Sequence, residues 1–151
     1  MYTVCMNRWK TQSLEAFNGV VKEISEIIAS NKGSLATVIA LHGDLGAGKT
    51  TFVQELARIW GAKETVTSPT FVIQKKYVLD SAPFNELVHM DVYRLEESSE
   101  VGALGWNELL KDNESLVCVE WAEKIKDKLP KNTVHVYIEW VGEEERSIEI
   151  K

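Results

Sequence analysis

The stretch IALHGDLGAGKTTFVQ, residues 39–54, sets glycines, a lysine and paired threonines between an apolar run and a helix-forming run. Within it, Gly43-Asp44-Leu45-Gly46-Ala47-Gly48-Lys49-Thr50 satisfies the pattern GxxxxGK[ST] in full. A glycine-rich turn can match that pattern by chance, so the flanks decide its meaning. Residues 36–42 (ATVIALH) read as a strand buried on both faces, and residues 49–60 (KTTFVQELARIW) read as a helix that stops at Gly61. Strand, glycine-rich loop and helix together form the phosphate-binding P-loop context. Glycine lets the backbone curl so that successive N–H groups point inward, and the helix start adds its positive end. Lys49 is placed to reach β- and γ-phosphate oxygens, and the Thr50 hydroxyl to take a Mg2+ coordination position. Asp44, Leu45, Gly46, Ala47, Gly48, Lys49, Thr50 and Thr51 are therefore the expected nucleoside-triphosphate-binding residues.

Outward from the loop, strand and helix patterns alternate. Leu14, Phe17, Val20, Val21, Ile24, Ile27 and Ile28 mark one face of a helix, with Thr11 or Ser13 as its cap. Residues 2–6 (YTVCM) read as a short first strand. Residues 71–79 and 86–91 read as two strands, residues 98–110 as helical, and residues 115–120 (SLVCVE) as another buried strand. Residues 122–129 form a short polar helix closed by Pro130, and residues 133–140 pair with residues 146–150 across a VGEEE turn. This order predicts an α/β domain with a P-loop NTPase fold. A mostly parallel central sheet is flanked by helices and ends in an antiparallel C-terminal hairpin, all in one domain over residues 1–151.

The second half of a phosphate site calls for carboxylates at the C-terminal ends of neighbouring strands, where open α/β sheets bind ligands. Two apolar runs end in acids: ELVHMD at Asp91 and SLVCVE at Glu120. A carboxylate there is costly to bury unless paired or metal-bound. Asp91 also has Tyr93 and Arg94 nearby as structural partners, so the residues alone leave both roles open. The SPTF segment offers Ser68 and Thr70 in a loop, where a γ-phosphate sensor could sit or turn chemistry alone could place them. His89 reads as a core or supporting residue rather than a base, and the KIKDK run as a solvated helix face. Trp9, Trp60, Trp106 and Trp140 read as half-buried packing anchors; Trp121, beside Glu120, could pack or shield phosphates.

Composition narrows the class. The chain of 151 residues has net charge −6, so it carries no global basic field to hold nucleic acid by itself. Cys5 and Cys118 lie in apolar, strand-like surroundings and read as buried reduced thiols, and His42, His89 and His135 are too scattered for a zinc signature. No run reaches membrane length and the N-terminus lacks a signal-peptide layout, so the expected location is the cytoplasm, with no membrane partner expected.

GDLGAGKTTF, SPTF, HMDVYRL and EWAE, in this order and at this length, closely resemble the bacterial TsaE (YjeE) family. The resemblance implies an ATPase acting in threonylcarbamoyladenosine modification of tRNA at the adenosine next to the anticodon. It implies two partners, TsaD and TsaB, which carry the transfer chemistry and contact the tRNA, so that this subunit meets tRNA only through the complex. It also implies ATP and Mg2+ as ligands, with Thr50 and Glu120 holding the metal. Asp91 and the SPTF residues would line the γ-phosphate side, and Trp121 would lie beside the site. The expected catalytic set is thus Asp91, Glu120, Lys49 and Thr70, with Asp91 orienting water directly or through the metal's shell and Thr70 sensing the γ-phosphate; which of Asp91 and Glu120 positions the water is left open. Adenine-side contacts are left open, with the Thr11–Ser13 segment as candidate, and Ala122 stands where many members have proline. The alternative is a small P-loop kinase, against which the sequence offers only Arg8, Arg58, Arg94 and Arg146 and no arginine-rich lid. A nucleotide-dependent switch whose output is partner binding is compatible with the ATPase reading.

Overall fold

The computed structural model describes residues 7–69, 73–81 and 83–151. The elements, in chain order, are β1 (Asn7–Thr11), α1 (Leu14–Ser30), β2 (Thr37–His42), α2 (Lys49–Ile59), β3 (Gln74–Val78), β4 (Glu86–Asp91), a 3-10 segment (Ser98–Leu104), α3 (Trp106–Leu110), β5 (Ser115–Glu120), a second 3-10 segment (Ala122–Lys128), β6 (Val134–Trp140) and β7 (Arg146–Ile150). The seven strands form one sheet in the order β1-β7-β6-β2-β5-β4-β3. β4, β5, β2 and β6 run parallel, while β1–β7, β7–β6 and β4–β3 are antiparallel. The central strands are thus parallel and the C-terminal hairpin antiparallel, as expected, while the sheet as a whole is mixed because β1 and β3 add antiparallel pairs at its two edges.

Sequence pattern explains the layering. Along β2, Ile39 and Leu41 face one side and Val38 and Ala40 the other. The first side packs under α1 (Phe17, Val21, Ile24, Ile28) and α2 (Phe52, Val53, Leu56); the second packs under Val101, Trp106, Leu109 and Ile125. Both faces are apolar because both are covered, which is why the central strands read as continuous hydrophobic runs.

Helix ends follow their local chemistry. Ser13 Oγ accepts from Ala16 N (3.0 Å), so Ser13 rather than Thr11 caps α1. α2 closes at Gly61 (φ +79°): Ala62 N donates to Ala57 O and Gly61 N to Arg58 O, the paired bonds of a Schellman motif. The 98–110 segment is not one helix, because Gly105 at φ +76° separates the 3-10 segment from α3. Residues 122–128 form 3-10 rather than α turns, with Ile125 buried and the lysines of the KIKDK run exposed.

The strand expected over residues 2–6, and Cys5 with it, lies outside the described residues. The described first strand is NRWKT, Asn7–Thr11, paired with β7. Cys118 is wholly buried in β5, where burial pushes its thiol pKa well up and keeps it an unreactive thiol. Trp60 and Trp106 are buried anchors and Trp9 packs at the core margin, but Trp140 is 57% exposed rather than half-buried.

Candidate functional site

The glycine-rich loop owes its shape to Gly43, Gly46 and Gly48, all at positive φ (+154°, +80° and +119°). At Gly43 the requirement is also steric, since a Cβ would stand 2.3 Å from the Ile138 carbonyl oxygen of β6. The loop turns on Ala47 N donating to Asp44 O (3.0 Å), and α2 begins with Phe52 N donating to Gly48 O (2.9 Å). Gly48, the residue before the helix, supplies no side-chain cap, so the first-turn N–H groups of α2 are not satisfied by the residue before them. Lys49 is 7% exposed; its Nζ donates to Gly43 O (2.5 Å) and Asp44 O (3.2 Å), so the ammonium sits inside the curve of the loop. Thr50 and Thr51 are half-buried, and Leu45 stands at the loop tip, 94% exposed.

Two buried carboxylates meet at the C-terminal ends of adjacent parallel strands. Asp91 of β4 and Glu120 of β5 are direct register partners. Asp91 Oδ1 accepts from Tyr93 N (3.0 Å), which bends the chain away from β4. Glu120 Oε2 lies 2.9 Å from Nε2 of the fully buried His89. The next residue, Trp121, takes a left-handed conformation (φ +60°). Its ring centre lies 5.4 Å from Lys49 Nζ and 5.0 Å from the Tyr93 ring. A left-handed conformation at a large residue is costly and marks a place where the fold over-determines the backbone.

The loop is also held from the far end of the chain. Arg146 of β7 donates Nε to Ala47 O (2.9 Å) and Nη1 to Gly142 O (3.1 Å) and Glu145 O (3.0 Å). Beside it lies a cavity of about 190 Å³ lined by Ser13, Leu14, Phe17, Thr51, Glu143 and Arg146, among others. Residues 11–148 match the family model of the threonylcarbamoyl adenosine biosynthesis protein TsaE. The chain belongs to the TsaE family.

Relatives agree over most of its length. It is 37% identical to the tRNA threonylcarbamoyladenosine biosynthesis protein TsaE of Bacillus subtilis over 141 residues, 93% of this chain and 82% of the relative. To the TsaE of Haemophilus influenzae it is 30% identical over 129 residues, 85% of this chain and 78% of the relative. The crystal structure of YdiB from Bacillus subtilis superposes with a TM-score of 0.69 at 33% identity, covering 99% of this chain and 87% of that one.

In this TsaE-family chain the fold gathers most of the residues singled out from sequence. Lys49 and Thr50 begin α2, and Asp91 and Glu120 end the two strands next in order beyond β2. Thr70 lies outside the described residues. Its neighbours are tied to the site: Pro69 O accepts from Ile73 N (2.8 Å), and Ile73 O accepts from Asp91 N (2.8 Å). Ser68 is exposed and also engaged in an interaction. The histidines are less scattered than expected, since His42 Nε2 lies 2.9 Å from His135 Nδ1 and its ring stacks on Tyr137 at 4.5 Å. Sequence reasoning placed His89 only as a supporting residue and did not pair it with Glu120. A lone histidine two residues before a strand-end acid, on the same face, was the available signal. No described helix is long and apolar enough to cross a membrane.

Proposed function

We propose that this chain is a Mg2+-dependent ATPase of the cytoplasm that supports threonylcarbamoyladenosine modification of tRNA, working with TsaD and TsaB rather than transferring the group itself. The observation that carries the reading is the meeting of a glycine loop holding a buried Lys49 with two buried, register-paired carboxylates, Asp91 and Glu120. A cation inside a ring of backbone groups at a helix start suits polyphosphate, and acids on adjacent strand ends suit the metal and water that accompany it.

In this reading ATP lies along residues 44–51. Lys49 would exchange its bonds to the loop carbonyls for β- and γ-phosphate oxygens, which need less rearrangement than a lysine pointing to solvent. The cavity beside Thr51, with Ser13 and Phe17 in its wall, would receive the base and sugar, with Ser13 of the Thr11–Ser13 segment on the adenine side. Thr50 and Glu120 would hold Mg2+: a hydroxyl and a carboxylate are the hard oxygen donors that ion selects. When bound, Mg2+ would neutralise charge building on the β- and γ-oxygens. Asp91 orients the attacking water, and Thr70 senses the γ-phosphate through a loop whose flank is bonded to the Asp91 backbone. Trp121 covers Lys49 and limits water access to it. Net charge −6 fits a subunit that leaves the tRNA to its partners.

Steady-state ATP hydrolysis by the pure protein, alone and with TsaD–TsaB and tRNA, tests this. Weak activity alone that rises with the partners is the expected result. Hydrolysis indifferent to the partners, with rapid phosphate transfer to a small metabolite, would install the kinase reading instead.

A further inference from the structure

We infer that His89 is the positioning residue for the Glu120 carboxylate, fixing it for metal coordination through a single hydrogen bond from Nε2. The inference rests on the nucleotide reading above and adds a residue to it. His89 and Asp91 share a face of β4, and Asp91 sits directly opposite Glu120 on β5. His89 is therefore the diagonal neighbour of Glu120, within reach of a long side chain. The contact is made at 2.9 Å between two buried groups, His89 with no exposure at all.

The direction of the bond follows from the chemistry of its ends. An ionised carboxylate only accepts, so Nε2 carries the hydrogen. The other ring nitrogen, Nδ1, is buried with no hydrogen-bond partner among the described residues. A purely structural histidine would normally satisfy both nitrogens, whereas the ring bond this one makes among the described residues goes to the carboxylate. That bond engages Oε2 and leaves Oε1 for a metal or its water. Without it, a buried glutamate rotates about its terminal torsion, which is broad. Partners that orient metal-binding side chains characteristically shift metal affinity by about 10- to 100-fold when lost.

The test compares His89→Gln with His89→Asn. The glutamine amide reproduces a donor at the Nε2 position, while the asparagine amide reaches only the Nδ1 position. Binding of a fluorescent ATP analogue is measured against Mg2+ concentration, and without Mg2+, on full-length protein checked by near-UV circular dichroism. His89→Gln keeps the wild-type Mg2+ requirement within about two-fold, and His89→Asn raises it about ten-fold or more while Mg2+-free binding is unchanged. Equal Mg2+ requirements in folded wild type and both variants would overturn the inference alone. Absence of ATP binding by the wild type would overturn the nucleotide reading, and this inference with it. Should His89→Asn fail to fold, a wild-type requirement in Glu120→Gln, which keeps an acceptor for His89 but weakens metal binding, would equally overturn it.

Discussion

Arg146 and Ala47, 99 residues apart in sequence, are joined by a 2.9 Å bond from the guanidinium Nε to the carbonyl at the heart of the glycine loop. The same guanidinium grips the hairpin turn through Gly142 and Glu145, so loop and hairpin form one braced unit. Among the described residues the guanidinium acts as a brace between backbone carbonyls.

Replacing it exposes the brace. Arg146→Ala is expected to lower stability by about 1.5–3 kcal/mol, the usual worth of a hydrogen bond to a charged group. ATP affinity should fall as the loop loosens. Arg146→Lys should recover little, because an ammonium cannot match the fork that serves three carbonyls. Thermal unfolding and equilibrium nucleotide binding read both effects.

Gly43 and Gly46 separate two kinds of glycine requirement. Gly43→Ala drives a methyl to 2.3 Å from the Ile138 carbonyl, which must displace β6 or the loop. Gly46→Ala meets nothing within 4 Å and bears only its positive φ. The expected cost is about 1–2 kcal/mol at Gly46 and clearly more at Gly43. Chemical denaturation of the two variants side by side decides it; equal costs would refute the steric account.

Lys49→Ala should remove nucleotide binding, or at least hydrolysis, while leaving a native circular dichroism spectrum. Among the described residues its side chain donates to two loop carbonyls and lies against the Trp121 ring at the first turn of α2, so few core contacts depend on it. Full ATPase activity in this variant would remove the phosphate-cradle argument.

Acidification should destabilise the fold through His42 and His135. Burial lowers the His42 pKa, with His135 adding to the shift, and burial lowers that of His135. Both groups are thus harder to protonate folded than unfolded. Their contribution to stability is full above the unfolded value near 6.5 and is lost as pH falls through and below the lowered folded values. The midpoint of thermal unfolding should drop between about pH 7.5 and pH 5, and a His42→Gln, His135→Gln double variant should flatten that drop.

The loop, α2, the central strands and both strand-end acids were legible because each is announced by its own residues. ATVIALH is apolar throughout, and a glycine loop followed by KTTFVQ has few other uses. What stayed hidden depends on partners distant in sequence. NRWKT is a polar edge strand, formed because β7 offers it a ladder rather than by its own propensity. Strand order, and with it the mixed sheet, does not appear in periodicity at all. The His89–Glu120 contact needs the β4–β5 register before it can be seen, and Arg146 needs the path of the last hairpin.

The pairing of Asn7 with Ile150 gives the sheet a closing contact that spans nearly the whole chain. Contacts of that range raise contact order and slow folding, since the loop-closure entropy must be met before they contribute. Because Arg146 reaches the glycine loop only from the strand that makes this closure, the loop of a growing chain stays unbraced until its last strand is made. Synthesis itself therefore times the bracing of the glycine loop, and on the proposed reading nucleotide added to a refolding chain should act late, by trapping the finished sheet rather than by guiding its assembly.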